Sequence, residues 1–440
     1  MTGIGEPTPT KGSDVPAVEE LTEELSAEAA RKAELALPPA LAANSVSGYL
    51  RTSVARVKGG EAGILPVVAG LLLISILFQA LNSHFLTAAN LVNLLVQAAV
   101  FSLLAMAEVF VLILGEIDLS TGFTAAVGGA ILATLMASHG WPWWAAVAAA
   151  LGACAGIGLL QGSIITRIGL PSFVVTLAGF LFWQGVLFKI LGNGGAVAIN
   201  STKINDIAAA NLSPAAGWTV MLVLVAIFGA SAWRRDSKRR KSGLVAPPAG
   251  VTLLKIGGAL LGGIALVLLC NEDRGVIVPI KGVPYVVLLV IGVLVMWTFL
   301  LGRTKVGRYM YAIGGNAEAA RRAGISLSGI RILAFMLCSL TAGIAGIVYT
   351  SRLQSISTAV DGGTLVLYAV AAAVIGGTSL FGGRGKVLHG VLGGIVIASI
   401  DNGMGLLGFT IAAKDMVTAL VLLAAVTLDA LARRGRVAGL

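Results

Sequence analysis

LVNLLVQAAVFSLLAMAEVFVLIL, residues Leu91–Leu114, is an almost unbroken apolar run, and it ends abruptly in GEIDLSTG, residues Gly115–Gly122. A hydrocarbon core is crossed by about 20 apolar residues wound as a helix, so the run reads as a membrane span. The polar, glycine-bearing sequel reads as a break in the span, and irregular backbone at membrane depth survives only where protein or a water-filled path covers it. Working outward, similar runs recur at Ile64–Leu81, Trp143–Ile165, Phe173–Leu191, Trp218–Trp233, Leu253–Leu269, Val283–Leu301 and Ile330–Tyr349. After Asp361 come Leu365–Ile375, Val387–Ile400 and Met416–Leu428, which are shorter and read as tilted, interrupted or buried spans. The chain is 57% hydrophobic and 12% charged, with a mean hydropathy of +0.92, a balance that a water-soluble domain could not hide from solvent. The expected fold is an all-α integral membrane protein with about ten to twelve transmembrane helices.

The net charge of +10 arises largely from basic residues in short connections between apolar runs, where they orient the protein in the bilayer and do not signal nucleic acid. Arg51, Arg56 and Lys58 precede the first run and place the N-terminus in the cytoplasm. WRRDSKRRK (Trp233–Lys241) and the group Arg303, Lys305, Arg308, Arg321 and Arg322 mark two further cytoplasmic connections, and Arg433, Arg434 and Arg436 bring the C-terminus inside as well. Residues 1–58 hold good helix formers but almost nothing large and apolar to bury, so they read as a mobile cytoplasmic tail. Residues 59–440 form the membrane domain. Gly192–Ala215 and Asn271–Gly282 are then external loops.

Several classes of chemistry are absent. Cys154, Cys270 and Cys338 lie in apolar segments without pairing or metal-ligand spacing, and His84, His139 and His389 are scattered, so no intramembrane metalloprotease pattern exists. GGRGK at Gly382–Lys386 is the nearest approach to a phosphate loop. Leu380 stands where its first glycine is needed, and Val387 replaces the magnesium-binding hydroxyl. The chain itself therefore binds no nucleotide, metal or other cofactor on this reading, and any ATP and magnesium belong to a partner.

Two segments look alike. ILGEIDLSTG followed by AVGGAILA (Ile113–Ala133) parallels VIGGTSLFGG followed by GVLGGIVIA (Val374–Ala398): an apolar stretch, a glycine-rich polar break, then a helix opening with a Gly-Gly pair. Duplicated halves with broken helices are a common transporter plan, although glycine-rich membrane helices also resemble one another by chance. Gly152 with Gly156, Gly158 with Gly162, and Gly258 with Gly262 have the spacing that lets helix backbones approach closely.

The most informative connection is GRYMYAIGGNAEAARRAGIS, Gly307–Ser326. Gly314 and Gly315 give a flexible approach, Asn316 can cap a helix, and Ala317–Ala323 is a short helix former ended by Gly324. The small Ala319 and Ala320 beside Glu318 and Arg321 suit a helix that sits outside the bilayer in a groove on a partner, its charges setting the register. A short amphipathic helix is also common in any basic connection.

The wording AIGGN-x-EAAR-x-x-GI in this loop resembles the coupling loop of ABC importer permeases, in the form seen in the ribose, xylose and galactose permease family. GEIDLSTG, PSFVVTLAG (Pro171–Gly179), VIGGTSLFGG and IDNGMGLLG (Ile400–Gly408) carry the same resemblance, which runs from about Leu65 to the C-terminus. WRRDSKRRK, the spans after it and NEDRGVIVP (Asn271–Pro279) look most like the xylose branch. The resemblance implies a permease subunit that encloses a sugar path as a homodimer, or with a close relative, in the inner membrane. It also implies a cytoplasmic ATP-binding subunit docked on the coupling loop and a periplasmic or lipid-anchored sugar-binding protein outside. An ion-coupled sugar transporter and a membrane-embedded enzyme are the rival classes.

Candidate path residues follow from the cost of polar groups at membrane depth. Glu116 and Asp118 should face water, a partner or a cavity, and Asp118 can equally cap the next helix. Asp401 and Asn402 interrupt an apolar helix, where Asn402 could meet a sugar hydroxyl or bridge helices. Phe173 and Thr176, in the helix opened by Pro171, offer an apolar face and a hydroxyl, with packing as the ordinary alternative. Arg352 and Asp361 bracket an external loop that could meet the binding protein or simply be solvated.

Overall fold

The structure, a computed structural model, describes residues 64–192, 195–244 and 246–437. The expected cytoplasmic tail, 1–58, lies outside the described residues. Fifteen helices and one two-stranded ribbon account for the described chain. In order they are α1 (Ile64–Leu81), α2 (Ala88–Ile113), α3 (Thr121–Ala137), α4 (Trp143–Ile168), α5 (Ser172–Leu191), β1 (Ala196–Ala198), α6 (Thr202–Ala209) and α7 (Pro214–Lys241). There follow α8 (Ala249–Asn271), α9 (Tyr285–Arg303), α10 (Lys305–Gly315), α11 (Ala317–Arg322), α12 (Leu327–Leu353), β2 (Ser355–Ser357), α13 (Gly362–Ile375), α14 (Val387–Leu406) and α15 (Ile411–Val437). Eight of them are long and apolar enough to cross a membrane: α2, α4, α5, α7, α8, α9, α12 and α14. Shorter apolar helices coincide with α1, α3 and α13. The protein is an all-helical, multi-pass membrane protein.

The chain divides into two compact units. Among the described residues the larger comprises those of 64–224 and 260–437, and the smaller those of 225–259. In the larger unit α2 is the axis: α9, α12, α13 and α14 pack on it, α12 also meets α3 and α4, and α3 lies against α5 and α13. Across its most apolar window α2 is 94% buried, against 28% for α4 and α5, so the outer helices leave most of their apolar surface for lipid tails. Close packing at the α4–α12 seam depends on Gly158 and Gly162. A methyl group there would stand 2.6 Å from the Met336 Cα and 2.8 Å from the Ile332 Cα respectively. The other small-residue pairs, Gly152 with Gly156 and Gly258 with Gly262, meet nothing within 4 Å, and the expectation that they join helices is corrected.

One end of the larger unit carries the ribbon. β1 and β2 pair antiparallel with Val197 opposite Ile356, and α6 is tied to α12 by the Ser351 hydroxyl, which donates to the Ile204 carbonyl at 2.6 Å. Gly192–Ala215, read from sequence as a loop, therefore contains a strand and a helix. In the connection after α8, Asp273 Oδ1 accepts the backbone N–H groups of Gly275 and Ile280 at 3.1 and 3.2 Å. Those bonds, the Gly275 one foremost, hold its carboxyl below the usual carboxylate range.

In the smaller unit WRRDSKRRK continues the helix of α7 and is not a loop, a correction explained by the favourable placing of cations at a helix C-terminus. Asp236 is 1% exposed and accepts from the Thr252 hydroxyl of α8 at 3.0 Å. Arg240 reaches the Pro247 carbonyl at 2.8 Å and lies over the Trp233 ring. These contacts close the α7–α8 hairpin.

Candidate functional site

At the end of the larger unit remote from the ribbon, α9 gives way to α10 across Thr304, whose hydroxyl accepts from Gly307 N at 3.3 Å. α10 buries Gly307, Met310 and Ile313 on one face. Asn316 then leaves the helix in extended conformation (φ −158°) and caps the next one, its Oδ1 accepting from Ala319 N at 2.9 Å. α11 lasts six residues and ends before Gly324, which takes φ +78°, a left-handed value suited to glycine. Ala320 is the buried seat of α11, while Glu318, Ala319, Arg321 and Arg322 are exposed. Glu318 pairs with Arg321 at 2.9 Å and Arg322 at 3.2 Å. Such exposed pairs are worth about 0–1 kcal/mol, so they orient a surface and do not hold the fold.

Gly314 and Gly315 were expected to give a flexible approach. They are instead the last residues of α10, and Gly314 is wedged against backbone. A methyl there would strike the Ile113 carbonyl and stand 2.6 Å from Gly383 N. Gly383 N itself donates to the Ile113 carbonyl at 2.8 Å, and the Tyr311 hydroxyl donates to the Gly385 carbonyl at 2.7 Å. Gly115 lies beside the Phe381 carbonyl. Thus the two glycine-rich breaks, after α2 and after α13, touch each other and both rest on α10.

Behind the first break lies a buried polar cluster. Glu108 of α2, Asp118, Ser120 and Thr121 each have no exposed surface. The Thr121 hydroxyl stands 2.5 Å from Glu108 Oε1 and 2.9 Å from the Asp118 carbonyl, so its single proton is shared between them. Asp118 Oδ1 accepts from Ser120 N at 2.9 Å and Ser120 Oγ at 2.6 Å, and Gln161 Nε2 of α4 donates to Ser120 Oγ at 2.9 Å. Asp118 therefore forms an aspartate turn leading into α3, two residues before the cap position, which Ser120 occupies. The Thr176 hydroxyl donates to Ser172 O at 2.9 Å and lies 3.3 Å from Ile117 O, tying α5 to the break. Glu116 points away from this cluster and pairs with Arg331 of α12 at 3.3 Å, beside a cavity of about 260 Å³.

The remaining candidates lie elsewhere. Phe173 is 56% exposed and takes no part in the cluster. Asn402 exchanges amide hydrogen bonds with Asn90 at 2.9 and 3.0 Å, bridging α14 to α2, and Asp401 pairs with Lys414 of α15 at 3.1 Å. Asp401 and Asn402 are 14 and 15 residues beyond the start of α14, roughly 20 Å along its axis toward the ribbon end. The residues sought from sequence are thus brought to two ends and not to one. Glu108, Gln161 and Arg331 were missed. An acid within a long apolar run is itself the available signal for Glu108, because such groups are rare unless partnered. Among the described residues no cluster of side chains could hold a metal ion.

The family model described as branched-chain amino acid transport system / permease component matches residues 90–426. The xylose transport system permease protein of Escherichia coli is 33% identical over 372 residues, 84% of this chain and 92% of that protein. The ribose import permease protein of Escherichia coli is 31% identical over 363 residues, 82% and 92% of the two chains. The D-allose transport system permease protein of the same organism is 27% identical over 362 residues, 82% and 90%. No solved structure matches the chain.

Proposed function

The chain belongs to this permease-component family, and from that membership we propose that it is the membrane-spanning subunit of an ATP-driven sugar importer in a bacterial inner membrane. Its substrate is a pentose, D-xylose first, in keeping with the relatives named for xylose and ribose. Residues 59–440 form the permease and 307–326 its coupling loop, with both termini in the cytoplasm. A cytoplasmic subunit binds and hydrolyses ATP with magnesium, a second copy of the chain completes the path, and a sugar-binding protein delivers substrate at the ribbon end.

One observation carries the reading: α11 turns a small-residue, charge-ordered face outward while α10 behind it rests on both breaks. A push on α11 reaches Gly314 by way of Asn316 and Gly315, and through it the Ile113 carbonyl and Gly383. Rocking of the two break-bearing helix pairs then alternates access. The substrate path needs only weak contacts, because a ligand held equally in both states shifts neither. Glu116, beside a cavity, borders the inner part of that path, Asp118 and Thr176 support it from within the packed break, and Phe173 faces its surroundings.

The test replaces Glu318 and Arg321 together by alanine. The expected outcome is loss of co-purification of the ATP-hydrolysing subunit with the permease still inserted at normal abundance. Undiminished co-purification would remove the coupling role of α11.

A further inference from the structure

Near the ribbon end lies a cavity of about 300 Å³ where the last turn of α12 meets α13, α14 and the start of α15. Its wall is unusual for a membrane protein, since Arg352, Asp361, Asp401, Lys414 and Asp415 all contribute to it. Two of the acids are engaged. Asp361 accepts from Thr364 N at 3.0 Å and from its hydroxyl at 2.6 Å, capping α13, and Asp401 holds Lys414 at 3.1 Å. The side chains of Arg352, Asp415 and Tyr349 form no hydrogen bond with the described residues; Arg352 is attracted by the Asp401 carboxylate, Asp415 is exposed, and all three border the same space.

Ionisable groups on membrane helices that no protein hydrogen bond satisfies ordinarily face water or a ligand. Three carboxylates against two cations exclude neither sign decisively, so neither an anion nor a cation is matched by the wall. A neutral polyol is. Each hydroxyl both donates and accepts, so one molecule can satisfy a guanidinium, a carboxylate and a phenol together. Tyr368 and Phe101, packed edge to face at 5.4 Å, add aromatic surface of the same cavity for sugar C–H groups. The volume corresponds to about ten waters, enough for one monosaccharide.

We propose that this cavity is the first substrate subsite of the permease, that it takes a neutral monosaccharide, and that Arg352, Asp415 and Tyr349 hold its hydroxyls. The inference rests on the importer reading and adds which residues meet the sugar. It also gives the ribbon end a chemical reason to receive cargo.

The test uses the full chain in liposomes with its ATP-hydrolysing subunit and sugar-binding protein, and radiolabelled D-xylose, D-ribose and D-allose as probes. Arg352→Gln and Asp415→Asn should each lower uptake of the transported sugar at least tenfold while ATP hydrolysis by the complex stays within twofold. If either fails to insert, Tyr349→Phe removes one hydroxyl and no charge and should still lower uptake severalfold. Ala359→Cys, on the cavity wall, gives a readout independent of uptake. Because all three native cysteines of this chain are buried, a membrane-impermeant methanethiosulfonate labels this chain at position 359, read on the permease band alone, and the transported sugar should slow its reaction about fivefold. Unchanged uptake in the inserted variants, or labelling indifferent to a sugar that the wild type carries, overturns the subsite alone. A wild-type complex that moves none of the three sugars with ATP overturns the importer reading, and the subsite with it.

Discussion

The two ends of the larger unit are built on opposite rules. Around α10 and the breaks, backbone meets backbone: Gly314 against Ile113 and Gly383, and Gly115 against Phe381. Behind the first break Glu108 Oε1 and Asp118 Oδ1 are engaged by Thr121 and Ser120 with no space around them, while their second oxygens lack a hydrogen-bond partner among the described residues. At the ribbon end, by contrast, side chains surround a space, and Arg352, Tyr349 and Asp415 reach it without a hydrogen bond to a described residue. The difference teaches where each kind of work is done. Direct backbone contact transmits displacement, because packed interiors shift between discrete arrangements and do not deform gradually. Unengaged polar groups beside a cavity receive a ligand instead.

The largest expected effect comes from breaking the first rule. In Gly314→Val the new side chain collides with the Ile113 carbonyl, and overpacking of this kind costs about 1–3 kcal/mol. Transport should fall on the order of 10- to 100-fold, with ATP hydrolysis persisting without net sugar uptake. Gly315→Ala is the internal control, since nothing lies within 4 Å of a methyl group there, and uptake should be unchanged. Equal loss in both variants would show that the segment demands flexibility and not contact.

A smaller effect is expected from Glu108→Leu. The substitution removes the carboxylate that accepts from Thr121 at 2.5 Å, and a net hydrogen bond is worth about 0.5–1.5 kcal/mol. Uptake measured in liposomes should fall severalfold, and Glu108→Gln, which keeps an acceptor, should fall less. A Leu variant as active as the wild type would separate the buried cluster from movement of the break.

What could be read in advance follows a physical line. α11 was legible almost to the residue, because Asn316 and Gly324 act locally on the backbone of their own turn. The spans and both breaks were legible from hydropathy and glycine. The outward direction of Phe173 was not. Lipid tails and the protein interior are equally apolar, so an apolar helix carries little record of which face is buried. The roles of Gly314 and Glu108 were hidden for another reason: each depends on a neighbour distant in sequence, Gly383 for one and Thr121 across the break for the other. The basic run after Trp233 was misread as a loop because charge reports the water boundary, and a helix can continue past it.

The smallest effect sharpens the comparison within the ribbon end itself. Asn402 lies next to Asp401, but its amide is engaged with Asn90, so it should behave as a structural residue and Arg352 as a ligand-binding one. Asn402→Leu leaves Asn90 Oδ1 without its partner while Asn90 Nδ2 keeps the Phe85 carbonyl at 2.8 Å, and hydrogen bonds between membrane helices average about 0.6 kcal/mol in measured cycles. Its thermal midpoint should drop by a few degrees, with the sugar concentration for half-maximal uptake unchanged. Adding Asn90→Leu should restore at most a small part of the loss, because it removes the orphaned Oδ1 but also the Asn90 bond to the Phe85 carbonyl. The Arg352→Gln variant should show the reverse: a raised half-saturating concentration at an unaltered midpoint. If Asn402→Leu instead shifts half-saturation as much as Arg352→Gln does, the division between engaged and unengaged groups fails, and both residues belong to one sugar-contacting surface.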